Sequence, residues 1–146
     1  MKGNLISKFE RKTAVIGIVG LGYVGLPLAI RYTEVGYKVI GFDIDESKTE
    51  CISKGESYIG SISDQVIQRT ISSGFEVTAD FSRATDVDAI ILCVPTPLNS
   101  HREPDLSFII ETMNSLLPHI KQNQVISLES TTYPGTTEEE LKPMLE

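Results

Sequence analysis

The stretch at residues 14–45 restricts the fold of this chain more than any other part of the sequence. It opens with a continuous apolar run at residues 14–19, which is typical of a strand buried on both faces. A G-x-G-x-x-G pattern follows at residues 20–25, then a helical pattern that Gly36 ends, and then a second apolar run leading into Asp43. A strand, a glycine turn, a helix and a second strand in this order predict a right-handed βαβ unit.

Each part of this pattern has its own mechanical role. Gly20 allows the tight turn, Gly22 lets a pyrophosphate approach the backbone, and Gly25 lets the helix pack closely on the strand. The helix N-terminus offers unpaired N–H groups to phosphates, and Asp43 can accept hydrogen bonds from a ribose. We therefore predict a dinucleotide site. The alternative, a βαβ unit whose glycines serve packing alone, explains Gly25 and Gly36 but leaves Gly22 together with Asp43 unexplained.

Apolar and helical patterns alternate through the rest of the chain. Strands are predicted at residues 37–42, 75–78, 88–94 and 124–128, the last two as buried strands. Helices are predicted at residues 4–12, 45–54, 63–72 and 106–117, with a final helix from residue 136. This alternation indicates an α/β fold. We predict a Rossmann-type doubly wound parallel sheet of strand order 3-2-1-4-5 with helices on both faces. Residues 1–13 form an N-terminal helical extension, and residues 14–146 the dinucleotide-binding domain.

Bulk properties exclude several classes of protein. A chain of 146 residues suits one domain, and its net charge of -7 argues against general binding to nucleic acid or acidic membranes. No apolar run reaches the length of a membrane span, and the polar N-terminus is no secretory signal, so we expect a cytoplasmic protein. Cys51 and Cys93 lack metal-ligand spacing, and we predict no metal site.

Ligands of such sheets bind beyond the carboxyl ends of the strands. Three predicted loops meet there, at residues 20–25, 93–97 and 129–135. The Thr131 hydroxyl can donate and accept, so it could position a water or an oxyanion. The alternative for Ser130 and Thr131 is a strand-end turn whose hydroxyls satisfy the backbone. The roles of Glu129, His101 and Arg102 stay open.

The segments VGLGYVGLPLA, FDID, CVPTP, REPDLS and ESTTYPGTTEEE occur in this order. Together they resemble the N-terminal NAD-binding domain of the UDP-glucose/GDP-mannose dehydrogenase family. REPDLS and ESTTYPGTTEE look most like the branch that oxidises UDP-N-acetylglucosamine, with UDP-N-acetylmannosamine next and UDP-glucose as a further alternative. The resemblance implies that two NAD⁺ oxidise a sugar C6 alcohol to a uronic acid for surface polysaccharide. It also implies that the central helix, the catalytic cysteine and most of the UDP-sugar site lie past residue 146. The fragment alone would then be inactive, and the full-length enzyme a homo-oligomer.

The same resemblance assigns roles to individual residues. Thr131 would be catalytic, because its hydroxyl would hold a water beside the nicotinamide. Asp43 would bind the ribose and Lys48 would lie near it. The cofactor-binding residues by this resemblance are Gly20, Gly22, Tyr23, Val24, Gly25, Asp43, Lys48, Cys93, Val94, Pro95, Thr96, Pro97, Ser130 and Thr131.

The sequence also bears on which dinucleotide binds, NAD or NADP, and on which class of protein this chain belongs to. NAD is favoured over NADP because Asp43 would repel a 2′-phosphate and no arginine follows it closely, although Lys48 argues weakly the other way. A different hydroxyacid dehydrogenase would not explain ESTTYPGTTEE. A stand-alone, non-catalytic dinucleotide-binding module remains the alternative of another class.

Overall fold

The computed structural model of the chain describes residues 2–146, so Met1 of the predicted N-terminal extension lies outside the described residues. The five strands form one parallel sheet in the order β3-β2-β1-β4-β5, which confirms the predicted topology. The strands are β1 (Val15–Val19), β2 (Lys38–Phe42), β3 (Glu76–Thr78), β4 (Ala89–Leu92) and β5 (Val125–Leu128).

Helices connect the strands and cover both faces of the sheet. The α-helices are α1 (Lys2–Glu10), α2 (Gly25–Glu34), α3 (Glu46–Ser53), α4 (Asp64–Ser72), α5 (Ser107–Leu116) and α6 (Lys142–Leu145). Short 3-10 helices lie at Phe81–Asp86 and Leu117–His119. The final predicted helix begins as a π-helix at Thr137–Leu141 and continues as α6. None of the helices in residues 2–146 is both long and apolar enough to cross a membrane.

The sequence places start and stop signals at most of these helices. Asp45 accepts a hydrogen bond from the Ser47 N–H at the start of α3, and Ser63 caps α4 through the Val66 N–H. Gly36, with φ at 105°, ends α2 in a left-handed conformation that glycine adopts readily. The first turn of α2 is different, because no side chain caps it.

Two clusters of buried side chains make the core, one on each face of the sheet. Ile16 and Ile18 face the cluster that also holds Leu26, whereas Val19 belongs to the opposite cluster with Ile109. Neighbouring residues of β1 thus point to opposite faces, as the pleat of a strand requires. This two-sided burial explains the continuous apolar run in the sequence.

Strand β5 is the exception, and its prediction as a buried strand was wrong. Its residues are half-buried, and Val125 is 43% exposed. The physical reason is that β5 forms the edge of the sheet in the described residues, where it pairs with β4 alone. An apolar run shows that a segment suits a strand, but it does not show whether a neighbour covers the strand.

Helix α1 packs on the domain through Phe9. The Phe9 ring lies 6.3 Å from the Tyr37 ring, and the Tyr37 hydroxyl donates to the Phe9 carbonyl at 2.9 Å. Lys8 pairs with Asp88 at 2.7 Å. Ile6, three residues before Phe9, is 58% exposed.

Candidate functional site

A cleft of about 540 Å³ opens at the carboxyl ends of β1, β2, β4 and β5. Residues 20–24, 43–45, 93–96 and 129–131 line it, so the topology brings all the predicted loops together. Every predicted cofactor residue lines this cleft except Gly25 and Pro97. Gly25 is buried behind the glycine loop, and Pro97 lies exposed beyond the strand-end segment.

The surroundings of the three motif glycines differ in whether they leave room for a side chain. A Cβ at Gly25 would lie 1.7 Å from the Gly20 carbonyl oxygen, so the helix and the turn can only meet at a glycine. Gly20 has φ at 94°, and a Cβ there would lie 2.6 Å from the Cys93 carbonyl oxygen. A Cβ at Gly22 would meet nothing within 4 Å. Packing therefore explains Gly20 and Gly25, whereas no atom of residues 2–146 lies close enough to require a glycine at position 22.

The N-terminus of α2 is a ready site for an anion. The N–H groups of Gly22, Tyr23 and Val24 donate no hydrogen bond to any group in residues 2–146, and Val24 provides no side-chain cap. Unpaired N–H groups at a helix start carry the positive end of the helix dipole. Because these groups border the cleft, they can donate to phosphate oxygens there.

Asp43 has a structural task that the sequence did not reveal. Its Oδ2 accepts from the Leu21 N–H and its Oδ1 from the Asp45 N–H, both at 2.9 Å, and the residue is only 8% exposed. The carboxylate therefore fixes the glycine loop to the end of β2. Each carboxylate oxygen can accept more than one hydrogen bond, so Asp43, which lines the cleft, keeps capacity for a ribose.

The β2 end of the cleft also holds residues that the sequence analysis missed. Ile44 lies between two aspartates, is 74% exposed and lines the cleft, as do Phe81 and Phe108. These three side chains give the cleft an apolar surface suited to a flat base. The one signal in the sequence was an apolar residue inside FDID, where a solvated turn would carry a polar one. Lys48 also lies here, with its Nζ 5.8 Å from the centroid of the Tyr58 ring.

Hydrogen bonds join the two loops at the other end of the cleft. The Ser130 hydroxyl donates to the Val94 carbonyl at 2.8 Å, and the Thr96 hydroxyl donates to the Thr131 carbonyl at 2.6 Å. The Ser130 hydroxyl thus satisfies the backbone, as the alternative of a strand-end turn expects for it, and the Thr96 hydroxyl does the same. The Thr131 hydroxyl forms no hydrogen bond with residues 2–146 and lines the cleft. Among the hydroxyls of these two loops that line the cleft, that of Thr131 is the one without a partner in residues 2–146.

The remaining candidates are Cys93, Glu129, His101 and Arg102, and their surroundings suit structural roles. Burial, together with the negative charge of Glu129, raises the pKa of the Cys93 thiol to about 11, so the thiol is protonated at neutral pH. Glu129 lines the cleft and accepts from the Ser127 hydroxyl at 2.8 Å. His101 and Arg102 lie outside the cleft, in a loop that the Asn99 side chain holds by accepting from the His101 N–H at 2.9 Å. Residues 2–146 contain no group of three or more His, Cys, Asp or Glu residues that could hold a metal ion.

The fold and this cleft together define a Rossmann-type dinucleotide-binding domain. Residues 14–146 match the sequence model of the "UDP-glucose/GDP-mannose dehydrogenase family, NAD binding domain". The chain belongs to this family, of which it forms the NAD-binding domain, and the resemblance seen in its motifs is confirmed.

Named relatives and a solved structure agree with this assignment. The UDP-N-acetyl-D-glucosamine 6-dehydrogenase of Pseudomonas aeruginosa is 34% identical, over 92% of this chain and 31% of the relative. The UDP-N-acetyl-D-mannosamine dehydrogenase of Methanococcus vannielii is also 34% identical, over 88% of this chain and 31% of the relative. The structure of the NDP-N-acetyl-D-galactosaminuronic acid dehydrogenase of Methanosarcina mazei Go1 superposes with a TM-score of 0.83 and 31% identity. That match covers 97% of this chain and 33% of the other. The chain thus spans about a third of the length of these proteins.

Proposed function

We propose that this chain is the cofactor-binding part of a dehydrogenase that oxidises the C6 alcohol of a UDP-sugar to the uronic acid. UDP-N-acetylglucosamine is the favoured substrate. The observation that carries the proposal is the free Thr131 hydroxyl at the β5 end of the cleft, with Asp43 at the β2 end. Three strand spacings, about 14 Å, separate β2 from β5, which suits an extended dinucleotide.

Bound NAD⁺ supplies the hydride acceptor, and the residues of this chain hold and orient it. The unpaired N–H groups of Gly22, Tyr23 and Val24 would bind the pyrophosphate, and Asp43 would bind the adenosine ribose. Ile44 would then contact the adenine, and Thr131 would border the nicotinamide. There the Thr131 hydroxyl can hold a water or the oxygen of the reacting carbon, because it can both donate and accept.

The complete reaction needs groups outside this chain. Two oxidations, from alcohol to aldehyde and from aldehyde to acid, consume two NAD⁺, and the product suits surface polysaccharide synthesis. Most of the UDP-sugar site belongs to the part of the enzyme that this chain does not contain, and we propose that the complete enzyme is a homo-oligomer. UDP-N-acetylmannosamine is the second candidate substrate, because the relative that oxidises it is as similar as the one named for UDP-N-acetylglucosamine.

The cofactor proposal is tested by calorimetry on the chain itself. We expect NAD⁺ to bind more tightly than NADP⁺, because a 2′-phosphate would meet the Asp43 carboxylate. A preference for NADP⁺ would contradict the assignment of Asp43 to a free ribose. The chain alone should bind NAD⁺ without producing NADH from UDP-sugars.

The substrate proposal is tested on the complete enzyme with a panel of UDP-sugars, read by NADH absorbance. UDP-N-acetylglucosamine should give the highest kcat/KM. Thr131→Val should lower kcat by about 10²-fold or more with a much smaller loss of NAD⁺ affinity, and Thr131→Ser, which keeps the hydroxyl, should recover most of the loss. NAD⁺ binding with no turnover of any UDP-sugar would favour the non-catalytic module.

A further inference from the structure

Leu21, the second residue of the glycine motif, is held from three sides. Its N–H donates to Asp43, and its carbonyl accepts a hydrogen bond from the Tyr58 hydroxyl. Its side chain is fully buried against Gly41, where a Cβ would lie 2.9 Å from a Leu21 methyl carbon. Leu21 bears no polar side chain, and its N–H and carbonyl are already used by Asp43 and Tyr58, so the three contacts fix the position of the loop.

The segment that carries Tyr58 is itself fixed on both sides. The Ser57 N–H donates to the Asp64 carboxylate at 2.8 Å, and the Ile59 side chain is buried in the core. The Tyr58 phenol stays protonated, because burial and the charge of Asp43 raise its pKa well above the ordinary value. Tyr58 is therefore a fixed hydrogen-bond donor, although it lies 37 residues from Leu21 in sequence.

The geometry of a peptide bond transmits this contact to the cleft. A trans peptide is planar, so the Leu21 carbonyl and the Gly22 N–H point in opposite directions. Holding the carbonyl against Tyr58 consequently fixes the direction of the Gly22 N–H. That N–H has no partner among residues 2–146, and Gly22 lines the open part of the cleft.

We propose that Tyr58 is a positioning residue for the cofactor, which acts by holding the Leu21–Gly22 peptide so that the Gly22 N–H is directed at the pyrophosphate before NAD⁺ binds. A preformed donor binds its ligand more tightly, because the ordering cost is met during folding. The Tyr58 ring also lies beside Lys48, whose Nζ is 5.8 Å from the ring centroid and which itself lines the cleft.

The test compares two tyrosine substitutions in this chain. Tyr58→Phe removes the hydroxyl and keeps the ring. Tyr37→Phe is the matched control, because the Tyr37 hydroxyl also donates to a backbone carbonyl, that of Phe9, but away from the cleft. Calorimetry should show a roughly 2- to 10-fold weaker Kd for NAD⁺ with Tyr58→Phe, the effect of one hydrogen bond. It should show no change with Tyr37→Phe.

Two further measurements separate positioning from general destabilisation. Tyr58→Phe should weaken ADP in the same way as NAD⁺, and it should leave adenosine, which has no phosphate, unchanged in an NMR titration. In the unsubstituted chain, the ¹⁵N order parameter of Gly22 should be as high as those of β1 before NAD⁺ is added, because the proposal requires an ordered loop in the free protein.

Several results would overturn the proposal. They are an unchanged NAD⁺ affinity in Tyr58→Phe, equal losses in both variants, an equal loss for adenosine, or a glycine loop that becomes ordered only when NAD⁺ binds. Failure of the unsubstituted chain to bind NAD⁺ would contradict the cofactor assignment instead, so the two failures are distinguishable.

Discussion

Replacing Gly22 by alanine should separate the binding of NAD⁺ from the stability of the fold. The added Cβ would meet no atom within 4 Å, and Gly22 does not have the positive φ that disfavours other residues. The substitution also restricts the unfolded chain. We therefore expect the free energy of unfolding to stay constant or to rise by up to about 1 kcal/mol.

The same geometry gives the expected loss of NAD⁺ affinity in Gly22→Ala. A phosphate oxygen that accepts from the Gly22 N–H lies about 2.9 Å from the nitrogen, and the new methyl group occupies the neighbouring space in the cleft. Losing one hydrogen bond to a charged group costs about 1.5–3 kcal/mol, which corresponds to a roughly 10- to 150-fold weaker Kd.

Gly25→Ala provides the contrasting variant. Its Cβ would overlap the Gly20 carbonyl oxygen at 1.7 Å, so helix and turn must separate. Overpacking of this kind costs roughly 1–3 kcal/mol, and this contact is with rigid backbone. Urea unfolding and calorimetry measure both variants. A Gly22→Ala protein that binds NAD⁺ as tightly as the parent, or one that is clearly less stable, would refute the reasoning.

Other predictions follow from single contacts. Asp43→Ala should weaken NAD⁺ more than Lys48→Ala in calorimetry and should also lower stability, because two N–H groups lose their acceptor; equal effects would contradict this. Partial burial alone would raise the pKa of Asp88, but hydrogen bonds from Lys8 and the Val15 N–H lower it. Its stabilisation is thus present above about pH 4 and lost as the pH falls through the folded-state pKa. The stability deficit of Asp88→Asn in urea unfolding should accordingly be largest near pH 7 and shrink in acid. Cys93, with its pKa near 11, should react slowly with iodoacetamide at pH 8 in a Cys51→Ser background, and an apparent pKa near 8.5 would contradict its burial.

The sequence was sufficient for the fold because local signals and topology agree. Apolar runs mark the strands, and Gly36 and Ser63 mark helix ends that the structure confirms. Right-handed crossovers then leave few possible strand orders. Such signals could not predict how deeply β5 is buried, because the burial of a strand depends on its neighbours in the sheet and not on its own residues.

The sequence predicted the part of the site that a motif of fixed spacing defines. The placement of Gly20, Gly22 and Asp43 at one cleft follows from their positions at strand ends. Tyr58 was not predictable, because it lies in a glycine- and serine-rich loop and meets Leu21 only through the tertiary fold. The difference between Ser130 and Thr131 also needed coordinates, since either hydroxyl could have turned toward the backbone.

The fit of Leu21 against Gly41 has an evolutionary consequence. A Cβ at position 41 would lie 2.9 Å and 3.0 Å from the two methyl carbons of Leu21 and 3.1 Å from the Phe75 ring. A side chain at position 41 would therefore force the Leu21 methyl groups or the Phe75 ring to move. Although a helix and most of a strand separate them in sequence, positions 21 and 41 share one packing space. A larger residue at position 41 is expected to be tolerated only together with a smaller one at position 21.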